Sequence, residues 1–192
     1  MKLILASKNA HKATEVQAIL GEGIKLITLD ETEAADIDVI EDGTTFEENA
    51  IKKATEIMQA TGLPTIADDS GLCVDALNGR PGIYTARFAG EHATDDENIK
   101  KLILELDGVQ ENARTARFVC VIALAMPNGE VKTYRGECEG RILTERQGEN
   151  GFGYDPIFYV PEYGKSMAEL PADVKNSISH RFNALKKLKE SL

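Results

Sequence analysis

Short unbroken apolar runs alternate along the chain with stretches where apolar residues recur every three or four positions, so strands and amphipathic helices are interspersed. Lys2 to Ala6 reads as a short buried strand. Ala13, Val16, Ile19 and Leu20 then trace a helical stripe ended by Gly21. Lys25 to Leu29 predicts a second strand. The longest helix is predicted from Thr44 to Gly62: Thr44 and Glu47 have capping-box spacing, and Phe46, Ala50, Ile51, Ala54, Ile57 and Met58 form the inner face. Thr65 to Ala67 predicts a strand that delivers Asp68-Asp69-Ser70-Gly71 at its end. Thr94 and Glu97 cap a further helix with Ile99, Leu102, Ile103 and Leu106 inside. Arg114 to Met126 is rich in β formers, and Pro127-Asn128-Gly129 turns it back into Val131 to Arg135. A last helix carries Ile178, Phe182, Leu185 and Leu188. Interspersed elements predict a single α/β domain over residues 1–192 with a central sheet, and the hairpin makes that sheet mixed rather than purely parallel.

Length and composition fit that picture. A chain of 192 residues builds one substantial core, and 42% hydrophobic with 28% charged residues is a globular balance. The net charge of −10 repels a phosphate backbone and argues against general nucleic-acid binding. It leaves room for a phosphorylated small molecule held by a few local cations and a divalent ion. Cys73, Cys120 and Cys138 are odd in number and share no CxxC spacing, which argues against a disulfide framework or zinc site. The first apolar stretch, Leu3 to Ala6, is too short for a signal peptide. The longest apolar run, Phe118 to Met126, is about half a membrane span. A cytoplasmic protein without membrane contact is the expectation. GxxxxGK[ST], GxGxxG after a strand, GxSxG and HExxH are all absent, which disfavours the common P-loop, Rossmann, serine-hydrolase and zinc-protease chemistries.

Five polar clusters stand at predicted element ends. Ser7-Lys8-Asn9-Ala10-His11-Lys12 joins the first strand to the first helix, whose N–H groups and dipole favour a phosphate; Ser7 and Asn9 are equally good helix caps. Lys53 on the long helix, beside the inner-face Ala54, would add a second cation; a plain exposed Lys is the competing and commoner reading. Glu41 lies just before that helix, and Asp68-Asp69 follows an apolar strand. Magnesium takes one or two carboxylates with phosphate oxygens and waters. Side chains alternate along a strand, so one acid of the pair would reach a metal while the other braces the loop; a plain turn is the competing reading. Gly151-Phe152-Gly153-Tyr154-Asp155-Pro156 suits either a stacked base or a tight turn around a core Phe. Lys175, Ser179, His180 and Arg181 close the set. Five and six helical residues rotate by about 140° and 240°, so Lys175 shares no regular face with His180 or Arg181. Either the helix breaks near Asn176-Ser177 or they serve different parts of a ligand. His180 reads equally as a helix-surface residue.

Taken in order, these clusters resemble the inosine triphosphate pyrophosphatase family, the non-standard purine nucleoside triphosphate pyrophosphatases. The resemblance rests on Ser7 to Lys12, Glu48 to Ala54, Ala67 to Gly71, Pro81 to Phe88, Gly151 to Pro156 and Ser179 to Arg181, and spans the chain from about Leu3 to Leu188. Ser7 stands where relatives also carry Thr, which keeps the hydroxyl. The resemblance implies two lobes around a deep cleft, helices outside, and a homodimer. It implies hydrolysis of ITP, dITP and XTP to monophosphate and pyrophosphate, with Mg2+ as cofactor. Ser7, Asn9, Lys12 and Lys53 would grip the triphosphate, with Lys8, Ala10 and His11 in the same loop. Glu41 and Asp69 would hold the metal, Asp69 also accepting the proton of the attacking water. Ser70, Phe152, Gly153, Tyr154, Asp155, Lys175, His180 and Arg181 would complete the nucleotide site, with Arg181 and N–H groups near Phe152 reading the purine C6 oxygen. A pyrophosphatase for modified or pyrimidine nucleotides and a non-catalytic nucleotide-binding module are the alternatives.

Overall fold

The structure, a computed structural model, describes residues 2–192. Its elements are β1 (Lys2–Leu5), α1 (Ala10–Leu20), β2 (Lys25–Thr28), α2 (Phe46–Thr61), β3 (Thr65–Val74) and α3 (Asp95–Glu105). They continue with β4 (Thr115–Ala125), β5 (Val131–Ile142), β6 (Phe158–Val160), β7 (Lys165–Ser166), α4 (Ala172–Ile178) and α5 (His180–Ser191). The strands form one seven-stranded sheet in the order β2-β1-β3-β4-β5-β6-β7. β1 pairs in parallel with β2 and β3, whereas β5–β6 and β6–β7 are antiparallel. The mixed α/β sheet inferred from the pattern is therefore present.

The chain divides into two compact units. Unit one takes the residues up to Asp69, Cys120–Gly136 and Arg181–Leu192. In it, Leu3 and Leu5 pack with Val16, Leu20, Ile66, Ile122, Leu185 and Leu188, while Ile4 packs with Leu29, Ala34 and Ile57. Alternate side chains of β1 thus enter cores on opposite faces, as a parallel strand covered on both sides requires. Each such Leu or Ile contributes about 1.5–3 kcal/mol of burial. Unit two takes Ser70–Val119 and Glu137–His180. Its core joins Leu72 and Val74 of β3 to Ile99 and Leu102 of α3, with Phe118, Ile157 and Phe158.

Five local expectations need correction. The N-cap of α2 is Thr45, whose Oγ1 accepts the Glu48 N–H at 3.1 Å; Thr44 instead donates from its N–H and hydroxyl to the Glu48 carboxylate at 2.7 and 2.9 Å. Glu48, not Glu47, reaches back, so the helix starts one residue later. Ile51 then falls off the inner face and is 37% exposed. β3 does not stop at Ala67 but carries Asp68-Asp69-Ser70-Gly71 inside it as far as Val74, and β5 runs on to Ile142. The last helix is two helices, broken not near Asn176-Ser177, which lie inside α4, but at Ser179, whose φ −64°, ψ 155° separates α4 from α5. The capping box at Thr94 and Glu97 forms as the spacing indicated. Cys120 and Cys138 are buried, Cys73 half-buried, and all three are free thiols. Among the described residues no helix is long and apolar enough to cross a membrane.

Candidate active site

In unit one the polar side chains gather where β1 leads into α1, in the loop before α2, and midway along β3. Asn9 caps α1, its Oδ1 accepting the Lys12 N–H at 3.2 Å, and the Ser7 Oγ accepts the Asn9 N–H at 3.1 Å. The capping reading of this loop is realised, and capping leaves Lys12 directed elsewhere: its Nζ donates to Asp68 Oδ1 at 2.8 Å. A cavity of about 210 Å³ is lined by Ser7, Lys8, Lys12, Glu41, Lys53 and Asp68, among others. Pockets for whole small molecules usually measure about 300–1,000 Å³, so this one has the size of a phosphate tail rather than of an entire nucleotide.

The two acids of β3 point to different partners, as strand alternation demands. Asp68 receives Lys12 together with Arg181, whose Nη2 and Nε lie 3.1 and 3.3 Å from Asp68 Oδ2. Arg181, 2% exposed, also pairs through Nη1 with Glu15. Asp69 accepts from Asn49 Nδ2 at 3.1 Å and lies 3.6 Å from Lys53 Nζ. That same ammonium donates to Glu41 Oε1 and to the Asp68 carbonyl, both at 2.8 Å. Glu41 and Asp69, 28 positions apart in the chain, therefore converge on one positive charge.

Their electrostatics differ accordingly. Burial works against a charged Asp68, but Lys12, Arg181 and Lys53 overcome it and hold its carboxyl far below the ordinary 3.8. For Asp69 burial wins: helped by Glu41 and opposed by Lys53 and the Asn49 hydrogen bond, it lifts the pKa above 3.8. Burial opposes charge on Lys53 too, yet Asp69, Asp68 and Glu41 raise its pKa above 10.5. Asp68 is thus a permanent anion that braces cations, whereas Asp69 is a carboxylate whose proton affinity is increased. Among the described residues no group of three or more His, Cys, Asp or Glu side chains forms a metal cage. Two carboxylates with room for phosphate oxygens remain, a donor set that suits a hard divalent ion sharing its shell with substrate.

Unit two holds Ser70, Phe152 to Asp155, Lys175 and His180. Gly151 and Gly153 have φ of 78° and 58°, and a Cβ on Gly151 would collide with the Asp155 carboxylate. The loop is wound around that buried acid, which accepts the Phe152 N–H at 3.0 Å and Lys175 Nζ at 2.7 Å. Phe152 is 40% exposed with Lys175 Nζ 4.5 Å from its ring centre, while Tyr154 is the core aromatic, its hydroxyl donating to the Thr85 carbonyl at 2.8 Å. The turn therefore has a core Tyr and a displayed Phe, the reverse of the simple turn reading. His180 is no surface residue: it is buried and stacks on Phe118 with ring centres 5.0 Å apart. With Ser179 breaking the helix, Lys175 and Arg181 go to Asp155 and Asp68 respectively.

Two expectations about base reading meet resistance here. The Phe152 and Gly153 N–H groups already donate to Asp155 and Asp95, and the Arg181 nitrogens already donate to Asp68 and Glu15. Sequence reasoning also passed over Asn49 and Glu15. A buried Asn four residues before Lys53 on the inner face of an amphipathic helix was the available signal for Asn49; Glu15 carried none.

Residues 3–191 match the Ham1 family. A dITP/XTP pyrophosphatase of Desulforamulus reducens is 53% identical over 193 residues, covering 100% of this chain and 96% of that one. The solved structure of the Staphylococcus aureus Ham1 protein superposes with a TM-score of 0.91 at 46% identity, covering 100% and 97% of the two chains. A HAM1 protein from Coxiella burnetii gives a TM-score of 0.91 at 45% identity, covering 100% and 98%.

Proposed function

Because this chain belongs to the Ham1 family, we propose that it is a nucleoside triphosphate pyrophosphatase that hydrolyses non-standard purine nucleotides (ITP, dITP and XTP) to the monophosphate and pyrophosphate. The observation that carries the chemistry is the meeting of Glu41 and Asp69 at the Lys53 ammonium, beside a cavity lined by Ser7, Lys8 and Lys12. The substrate class is supported by relatives such as the dITP/XTP pyrophosphatase above.

The metal in this reading is Mg2+, held by Glu41 and Asp69; the chemistry it supplies is neutralisation of phosphate oxygens and acidification of water. Lys12, Lys53 and the α1 N-terminus with its Ser7 and Asn9 hydroxyl and amide groups bind the triphosphate and balance its charge. Asp69, its proton affinity raised by burial, takes the proton of the water that attacks the α-phosphorus. Asp68 keeps Lys12 and Arg181 in place while remaining ionised. In unit two the displayed Phe152 ring offers a stacking surface to a purine, with Lys175 Nζ 4.5 Å from its centre and Asp155 accepting the Phe152 N–H. Roles for Ser70, Tyr154 and His180 at the nucleotide rest on the family resemblance. Reading of the C6 oxygen by Arg181 requires it to give up a carboxylate first. In this reading residues 1–192 form a single catalytic domain acting in the cytoplasm, and its homodimer rests on the family resemblance.

The test is to incubate the purified protein with ITP and Mg2+ and identify the products. IMP and pyrophosphate, abolished by a chelator, support the reading. IDP with phosphate would mean cleavage at another bond, and nucleotide binding without turnover would make the chain a binding module.

A further inference from the structure

Asn49 is almost wholly buried, at 2% exposure, on the first turns of α2, four residues before Lys53 and so on the same helical face. Its carboxamide is used at both ends. Oδ1 accepts the Gly43 N–H at 2.8 Å, and Nδ2 donates to Asp69 Oδ2 at 3.1 Å. The partners fix which end is which, since a backbone N–H only donates and an ionised carboxylate only accepts. Lys53, one turn on, lies by the other Asp69 oxygen, Oδ1. One carboxylate oxygen is thus pinned by Asn49, and the other is left toward the position that Glu41 also addresses. Gly43 is two residues from Glu41, so the same carboxamide anchors the loop from which Glu41 extends. The fit is close: a Cβ on Gly43 would stand 2.6 Å from Asn49 Oδ1 and 2.8 Å from Glu48 Cβ.

We infer that Asn49 is the positioning residue of the metal-holding pair, setting the rotation of the Asp69 carboxylate and the place of the Glu41 loop with one side chain. This rests on the reading of Glu41 and Asp69 as metal ligands. Partners that orient ligating carboxylates typically govern about 10–100-fold in metal affinity or activity.

The experiment measures Mn2+ binding, without nucleotide, to wild type, Asn49→Ala, Gly43→Ala and Glu41→Gln, with circular dichroism to establish that each is folded. Asn49→Ala is expected to bind Mn2+ about 10–100-fold more weakly and to lose kcat by a similar factor, with KM for ITP little changed. Gly43→Ala removes no polar group and pushes the carboxamide aside; it is expected to weaken Mn2+ binding in the same direction, and it decides the matter if Asn49→Ala does not fold. A purely structural Asn49 would lower the melting temperature but leave Mn2+ affinity intact, and folded variants with wild-type Mn2+ affinity overturn the inference. Glu41→Gln separates the two levels. If it leaves Mn2+ binding unchanged, or if wild type binds none, the ligand assignment itself fails; if it alone weakens binding, only the role of Asn49 falls.

Discussion

Asp68 and Arg181, 113 positions apart in sequence, form a fully buried ion pair, with Nη2 of the arginine 3.1 Å from Oδ2 of the aspartate. Lys12 completes the triad from the other oxygen. Removing one partner of such a group leaves the others charged and desolvated, so Asp68→Asn should cost about 3–5 kcal/mol of stability. The pH dependence has a definite sign. A carboxyl held below its unfolded pKa of 3.8 contributes its stabilisation in full above that value and loses it as pH falls through and below it. Urea unfolding of metal-free protein between about pH 7 and pH 3 should therefore show a steeper acid loss in wild type than in Asp68→Asn.

Asp69 has the opposite electrostatic character and a different expected loss. Asp69→Asn keeps the shape and the neighbouring cations but removes the proton acceptor, so kcat should fall by about 10²–10⁴-fold while nucleotide still binds. Single-turnover hydrolysis of ITP alongside equilibrium binding checks both halves; near-normal turnover would end this assignment.

The aromatic pair in the glycine loop divides function from stability. Phe152→Ala should raise KM for ITP with little change in melting temperature, because the ring is largely displayed. Tyr154→Ala should instead destabilise by about 3–5 kcal/mol, since the ring is core and its hydroxyl is bonded. Thermal unfolding and steady-state kinetics on the two variants discriminate them.

At α2 the cap assignment is open to a direct comparison. Thr45→Ala removes the side-chain acceptor for the Glu48 N–H and should cost about 1 kcal/mol. Thr44→Ala loses only a hydroxyl contact to an exposed carboxylate and should cost less. Denaturant midpoints of the two variants give the order.

What could be read from the chain was governed by period and charge. The two-residue period of a strand separates Asp68 from Asp69, and the contacts of the two acids follow that division. Helical rotation keeps Lys175 and Arg181 off one regular face, and the chain does break between them, at Ser179 rather than at Asn176-Ser177. The strand through Asp68-Asp69-Ser70-Gly71 was not legible, because acids and glycine are poor strand formers and only pairing within the sheet overrides them. Adjacent threonines made the α2 cap ambiguous by one residue until Glu48 chose between them. The pairings of Asp68 with Arg181 and of Arg181 with Glu15 leave no local trace, since burial of a distant partner has no sequence period. Asn49 went unread although it is a polar residue on an apolar helix face, and its two-ended hydrogen bonding is a property of the fold.

Water attacks the α-phosphorus in the proposed reaction. Hydrolysis of ITP with Mg2+ in ¹⁸O-enriched water, followed by mass analysis of the products, should place the label in IMP and leave pyrophosphate unlabelled. Label in pyrophosphate, or IDP and phosphate as products, would contradict it.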